Sequence, residues 1–401
     1  MKSIRTFLMA ASMMIGLASM APTYAGKVED LEAMLLQMQA QIDQMKIELA
    51  EAKAAAQTAA AQASETPDPV GDGFAEGVSV GGLIQLQTSR TKGYTGAHDA
   101  ENSVVAEASI TIDAALNDWV AAGATFKAQE GVNGDALSIQ RALIAMELSP
   151  VNVIMGRSDS VFGALETYMI SDPMTLSLAE TAATMVRLEA EHNGFGGGIH
   201  LYNGDANKVG ENANELNHYG ADLNYAWESG DFLGNVGVGW IANIADSGGG
   251  ANVVAARRTA MVRNVPAYTI HGGFETGPFS MLGEYIRAGR NFDAAELAFN
   301  GRGARPSAWN LEGAYAFEGF GVPAGVALGL GGTGEAAGFG LAKRRITGTV
   351  SFEVAQATNV ALEWLRQDDY GTGDTFLNNA GTGTGSGQDQ DIYTLQVEVE
   401  F

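Results

Sequence analysis

The chain has 401 residues, and its 23 Lys and Arg against 47 Asp and Glu give a formal net charge of -24. This acidity argues against nucleic acid as a partner, because binding phosphates needs a basic face. There are 52 Gly and no Cys, so packing or a closed hydrogen-bond network, and not disulfides, must hold the fold together.

The first 25 residues have the pattern of an export signal. Lys2 and Arg5 form a charged start, residues 7–20 are apolar, and Ala25 supplies a small residue for cleavage. Spanning a bilayer takes about 20 apolar residues, so this run is too short to do so comfortably. We predict that 1–25 is a signal peptide and that the mature chain lies outside the inner membrane.

Residues 26–63 predict a periplasmic coiled-coil helix, because apolar residues recur at alternating steps of three and four. A single amphipathic helix packed on the domain is the alternative, although such helices have a broader apolar stripe. A coiled coil needs partner chains, so the seam predicts a homo-oligomer. Residues 64–77 follow with prolines and glycines that indicate a linker. The seam residues are Val28, Leu31, Leu35, Met38, Ile42, Met45 and Leu49.

From Val78 onward the sequence changes to short runs with a period of two. In one run Ala108, Ile110 and Ile112 alternate with polar residues, which is typical of a strand with one apolar and one polar face. Such runs predict sixteen strands, at about 78–90, 103–115, 119–130, 136–148, 151–157, 181–192, 195–203, 215–228, 232–244, 265–276, 279–289, 307–318, 322–331, 343–355, 358–367 and 391–401.

The connections between these strands alternate in length. Short turns such as Asn193-Gly194 alternate along the chain with longer segments, of which 158–180, 245–264 and 368–390 are the longest. Transmembrane barrels have an even strand number, short periplasmic turns and long external loops, whereas a soluble β-sandwich has no reason to sort its connections by length. Residues 78–401 therefore predict an all-β transmembrane barrel of about 16 antiparallel strands, preceded by the short α-helical coiled coil.

The last predicted strand has apolar residues at alternate positions, from Tyr393 to Phe401, with Glu398 and Glu400 between them. This terminal strand resembles the C-terminal signature by which outer-membrane proteins are recognised for insertion. The resemblance implies the outer membrane of a Gram-negative bacterium, with outer-membrane lipid around the barrel and the N-terminal helix in the periplasm.

Segment 158–180 is the third external loop in this arrangement. The architecture resembles trimeric porins, in which that loop folds into the lumen and forms the constriction, and the resemblance favours a trimer. Opposed acidic and basic walls there order permeating dipoles and screen ions by charge. The alternative is that the arginines only form salt bridges within the barrel wall. The predicted constriction residues are Asp159, Phe162, Glu166, Tyr168, Asp172 and Glu180, and the predicted inward-pointing basic wall is Arg141, Arg157 and Arg187.

One block around this loop has a distinctive sequence, GRSDSVFGALETYMISDPMTLSLAET from Gly156 to Thr181. It is similar to a segment of the LbtU-type siderophore porin family, although Val161 replaces the Pro of that family and Ala179 replaces a Gly. The family also has a signal peptide, a heptad helix and a sixteen-stranded barrel. The resemblance implies passage of a ferric siderophore across the outer membrane without a plug domain.

Enzymatic chemistry has little support in the sequence. The five histidines are scattered without ligand-like spacing, and no nucleophile has a recognisable base, so we expect no catalytic residues, metal site or cofactor. The sequence predicts a porin-like channel for a small solute, and the resemblance implies that this solute is a ferric siderophore. A general, carboxylate-selective or sugar-selective porin, an envelope-tethering structural protein and a barrel enzyme are the alternatives.

Overall fold

The computed structural model describes residues 77–93, 101–129, 136–159, 162–206, 208, 215–247, 261–378 and 381–401. The predicted signal peptide, the coiled-coil seam from Val28 to Leu49 and most of the predicted linker lie outside these residues. No helix in the described part of the chain is long and apolar enough to cross a membrane.

Sixteen antiparallel strands form a closed barrel, which confirms the predicted fold. Each strand pairs with its neighbours along the chain, and the last strand pairs with the first. The barrel strands are β1 (Val78–Gly93), β2 (Glu101–Asn117), β3 (Val120–Gln129), β4 (Ala136–Glu147), β5 (Asn152–Asp159), β6 (Ala182–His192), β7 (Phe195–Asn203), β8 (Leu216–Ser229), β9 (Phe232–Ile241), β10 (Ala267–Thr276), β11 (Phe279–Ala288), β14 (Ser307–Gly319), β15 (Val322–Gly334), β16 (Arg344–Ala355), β17 (Thr358–Asp368) and β20 (Asp389–Glu400).

The period of two sorts the side chains of each strand between lipid and lumen. On β2, Ile110 and Ile112 are exposed on the outside, whereas Thr111 between them bonds to Thr125 of β3 through their hydroxyls at 3.0 Å. Residues paired across neighbouring strands share a face, so the registers extend this assignment around the barrel. Closure leaves no unpaired strand edge, as a bilayer requires.

The two ends of the barrel differ in their connections. At one end tight turns join the strands, such as Asn193 and Gly194, whose φ values of 51° and 81° suit a two-residue hairpin turn. At the other end the connections are long. Long loops are extracellular and short turns periplasmic in outer-membrane barrels, so we call the two ends external and periplasmic.

Two external loops carry a small second sheet that the sequence did not predict. Its strands are β12 (Ala298–Phe299), β13 (Arg302–Gly303), β18 (Thr375–Asn378) and β19 (Gly381–Thr384), in the order β13-β12-β18-β19. Buried side chains of these two loops belong to one hydrophobic cluster, which includes Phe292, Leu297, Phe299 and Tyr370. Strands of two to four residues are too short to show a period of two, which explains why the sequence pattern did not reveal them.

Candidate functional site: a strap across the lumen

The segment 162–181 between β5 and β6 runs through the inside of the barrel, and we call it the lumen strap. It begins and ends on the β5–β6 side, but its polar contacts are with lumen-facing side chains of β11, β14, β16 and β17. These strands lie on the other side of the closed ring. The strap therefore crosses the lumen, and its backbone groups must find partners on the wall it reaches.

Glu284 of β11 holds the start of the strap. Its carboxylate accepts hydrogen bonds from the backbone N–H groups of Ala164 at 3.0 Å and Leu165 at 3.2 Å, and from the Thr269 hydroxyl at 3.1 Å. Gly163, with φ of +93°, lies so close to this carboxylate that a Cβ would clash with it. A glycine is required here by both the backbone conformation and the space.

Glu312 of β14 holds the middle of the strap in the same way. It accepts the Tyr168 N–H at 2.6 Å, the Thr167 hydroxyl at 2.7 Å and the Asn310 amide at 2.7 Å. The side chain is only 2% exposed. A carboxylate buried to this degree is tolerated because several donors surround it.

Glu363 of β17 holds the next turn of the strap. Its carboxylate accepts the N–H of Ile170 at 2.6 Å and the N–H and hydroxyl of Ser171. Arg345 of β16 extends the same row by donating to the carbonyl oxygen of Asp172 at 2.7 Å. Hydrogen bonds to charged groups contribute about 1.5–3 kcal/mol each, so this row of wall side chains fixes the strap along its length.

Apolar packing completes the anchor. The short helix α1 (Met174–Ala179) ends the strap, and Met174 and Leu178 are buried. On β15 the lumen-facing Gly329 and Gly331 leave room for the Met169 and Met174 side chains, whose terminal methyls lie 3.0 Å from where a Cβ would stand. A Cβ at either position would press on these methyls, so the glycines let the two methionine side chains lie directly against the wall.

The strap turns acidic groups toward the remaining lumen. Burial raises the pKa of Asp172, and the nearby Lys127 and Arg345 charges oppose that shift. Burial likewise raises the pKa of Glu180, and the carboxylates of Asp159 and Asp172 raise it further. The Asp172 side chain is nevertheless accessible to water. The pKa values of both carboxyls are raised because the side chains are recessed among protein groups in a narrow lumen.

The wall opposite the strap, on the lumen side of β20 and β1–β4, carries charge and amides; we call it the open wall. Lys127 pairs with Glu107 at 2.7 Å, and Arg141 pairs with Asp113 at 2.5 Å. Their side chains keep 17–48% of their surface accessible. The amide of Gln85 donates to Glu398 at 2.7 Å and that of Gln87 to Gln396 at 2.6 Å.

The other predicted constriction residues differ in how much of their side chains is exposed. Phe162 is 1% exposed, which makes it an apolar anchor and not a pore-lining ring. Glu166 is exposed. Burial, together with nearby carboxylates that include Glu166, raises the pKa of Tyr168 to about 12, so this phenol stays neutral at physiological pH. Asp159 is the last residue of β5, close enough to Glu180 to affect its pKa.

The three predicted arginines do not form one basic wall. The prediction that Arg157 points inward is wrong: it pairs with Ala142 and Thr184 and shares the outward face of Met155. Apolar residues occupy both faces of β5 before Arg157, so the sequence did not reveal which alternate set faces lipid.

Arg187 does face inward, but it is 5% exposed and donates to Asp222 at 2.5 and 3.0 Å and to Glu189 at 2.8 Å. This arrangement fits the alternative in which the arginine stabilises the wall. Arg141 is accessible to the lumen as well as paired. A pore role for either remains a prediction.

Sequence reasoning missed the side chains that hold the strap, Glu284, Glu312, Glu363 and Arg345, and the facing Lys127. All five lie on predicted strands at inward positions. The available signal was the strap itself, because a loop that enters a barrel must find acceptors for its backbone N–H groups on the wall.

No family model matches the chain. A UPF0422 protein of Coxiella burnetii is 29% identical over 299 residues, 72% of this chain and 64% of that relative. A UPF0422 protein of Legionella pneumophila is 28% identical over 289 residues, 65% of this chain and 53% of that relative. The match thus spans less than two thirds of the length of these relatives.

Solved outer-membrane proteins have similar folds. The anion-selective porin of Comamonas acidovorans has a TM-score of 0.55 at 13% identity, covering 81% of this chain and 99% of that one. The outer-membrane channel DcaP of Acinetobacter baumannii has a TM-score of 0.52 at 11% identity, with 81% and 97% covered. OmpT of Vibrio cholerae, in a trimer form, has a TM-score of 0.50 at 12% identity, with 81% and 100% covered. The chain has the fold of outer-membrane, porin-like channels.

Proposed function

We propose that this protein is a passive diffusion channel of the outer membrane and that the lumen strap is its constriction. The observation that supports this most is the row of Glu284, Glu312 and Glu363, which fixes the strap across the barrel. Acidic groups on the strap then face Lys127 on the open wall. Opposed charges at a narrow point select permeating solutes by charge and dipole.

Purified protein in a planar lipid bilayer tests the channel. We expect stepwise ion currents from single channels. A correctly folded barrel that inserts into the bilayer without giving any current would contradict the proposal.

We further propose a ferric siderophore as the solute. This rests on the similarity of residues 156–181 to the LbtU-type siderophore porins, and the accessible amide and hydroxyl groups of the open wall suit a polar solute of that kind. Uptake of a radiolabelled iron–siderophore complex by cells with and without the protein tests this. Equal uptake, with ion currents retained, would reject the siderophore and leave a general, carboxylate or sugar channel.

We propose that the channel works as a homo-oligomer, with a trimer favoured. The strands β1–β6 contain neither Trp nor Tyr. Later strands expose several on the outside, namely Tyr219, Tyr268, Tyr285 and Trp309. Such aromatic girdles mark lipid-facing surface. Alanines such as Ala108 and Ala124 on the outside of β2 and β3 suit contact between copies.

Substitution on the outside of the barrel tests this contact. Ala108→Trp should abolish the detergent-resistant oligomer, while Leu328→Trp, at a 72% exposed position on β15, should leave it intact. An unchanged oligomer in Ala108→Trp would reject the wall contact. Deletion of 26–63 separately tests the predicted coiled coil.

A further inference from the structure

An amphipathic groove lies on the outside of the barrel at its external end, between β10 and β11. Tyr268 and Ile270 of β10 stand opposite Arg287 and Tyr285 of β11. Both tyrosines and the isoleucine are 40–54% exposed. Together with Arg305 of the following loop, these residues line a groove of about 250 Å³.

Arg305 is held in place by the end of strand β11. Its Nε donates to the carbonyl oxygen of Ala288 and its Nη2 to that of Gly289, both at 2.9 Å. A guanidinium has five N–H donors, so these two bonds fix its position and leave donors for a ligand. Arg287 is exposed beside it, which places two guanidinium side chains on one groove.

The surroundings of the groove are basic, although the chain as a whole has a charge of -24. Besides Arg287 and Arg305, two further arginines, Arg263 and Arg290, lie nearby in sequence at the external end, whereas Arg302 is paired with Glu335 at 2.9 Å. The nearby loop carboxylates are all engaged: Glu296 accepts the Val262 N–H at 2.6 Å and Asp293 the Ala295 N–H at 2.9 Å. Glu335 accepts the Arg305 backbone N–H at 2.7 Å and pairs with Arg302. The local charge favours an anionic ligand.

The position in the membrane indicates which anion this is. Tyr268 and Tyr285 belong to the external aromatic girdle, at the level where acyl chains meet headgroups. The apolar side of the groove thus faces acyl chains and the guanidiniums lie at headgroup height. The girdle also marks this side as lipid-facing, unlike the aromatic-poor outside of β1–β6.

We propose that this groove binds the phosphate headgroup of an outer-leaflet glycolipid of the lipid A type. Arg287 and Arg305 contact the phosphate, and Tyr268, Ile270 and Tyr285 contact the sugar and the first acyl carbons. Arginine is suited to this because its planar fork matches phosphate oxygens. The site does not depend on which solute the channel carries.

Binding of lipid A to the full purified chain in detergent, followed by native mass spectrometry, tests the proposal. Arg287→Gln should weaken lipid A binding about tenfold, the effect of about one charge-assisted hydrogen bond. Arg287→Lys keeps the charge and should bind more tightly than Arg287→Gln. The matched control Arg302→Gln removes an arginine that is paired with Glu335 and 67% exposed, and it should bind as the unsubstituted chain does.

Removal of the phosphates from the lipid provides a second test of the same site. Lipid A without its phosphates should bind the unsubstituted chain no better than lipid A binds Arg287→Gln. Equal binding of the two lipids, or equal binding of lipid A by Arg287→Gln and the unsubstituted chain, would overturn the site. Displacement of lipid A by millimolar inorganic phosphate would overturn the lipid as its ligand.

Discussion

The two sides of the lumen use similar polar residues in different ways. On the strap side, Glu284, Glu312 and Glu363 are 2–7% exposed and bind backbone N–H groups. On the open wall, Glu107 and Asp113 pair with other side chains and remain accessible. A carboxylate that holds the strap should thus determine pore size, whereas one on the open wall should determine which ions pass.

Releasing the strap should give the largest effect. In the triple variant Glu284→Ala, Glu312→Ala, Glu363→Ala the strap N–H groups lose their acceptors, at about 1–3 kcal/mol for each group left unsatisfied. We expect single-channel conductance to rise severalfold with larger current fluctuations. The open-wall control Gln85→Ala, Gln87→Ala, Gln396→Ala should change conductance far less, and equal effects of the two triples would remove the distinction.

Gly163→Ala should distort one end of the strap. The positive φ costs about 1–3 kcal/mol for a non-glycine residue, and the new methyl clashes with Glu284. We expect a lower midpoint in thermal unfolding and a noisier channel. Gly321→Ala is the matched control, because Gly321 has φ of +77° with open space around it. It should lower the midpoint without changing the noise.

Charge reversal on the open wall should alter selectivity more than size. Lys127→Glu replaces the cation that faces Asp172 and Glu180, so the reversal potential in a salt gradient should shift toward cations while conductance changes little. Arg302→Glu makes the same change of charge in an external loop. A shift of the same size in that control would show that the open wall has no special part in selectivity.

Acidification should have the smallest effect. The pKa values of Asp172 and Glu180 are raised, so these groups take up protons at higher pH than ordinary carboxyls and their negative charge is lost earlier as pH falls. Cation preference should therefore decline as pH falls, beginning above the usual carboxyl range. In the double variant Asp172→Asn, Glu180→Gln, the decline of cation preference above the usual carboxyl range should be absent. If that decline persists, other groups are responsible for it.

Most of the barrel could be predicted from sequence, because alternation of apolar and polar residues is a local property. All sixteen strands are present, and the tight turn at Asn193-Gly194 is where its residue types predict it. Alternation is ambiguous at Arg157, because apolar residues occupy both faces of β5 before it, and the facing of this side chain could not be predicted. Strands as short as Ala298–Phe299 carry too few residues to show any period.

The candidate site was harder to predict because it depends on distant contacts. Glu312 is 144 residues from Tyr168, whose N–H it accepts, and no local pattern joins them. The segment that carries the strap was identifiable, but the sequence does not show which of its residues are buried. Phe162 and Glu166, both predicted to line the constriction, differ in just this respect: the first is buried and the second exposed.

If the lumen strap forms the constriction, its Asp172 side chain must line the path of permeating ions. The chain has no cysteine, so Asp172→Cys introduces a single thiol that a bulky, charged thiol reagent can modify during a single-channel recording. We predict a stepwise fall in current when the reagent is added to Asp172→Cys and no change in the external-loop control Arg302→Cys. A current that stays constant in Asp172→Cys, with modification confirmed by mass spectrometry, would show that the strap does not line the path of permeating ions.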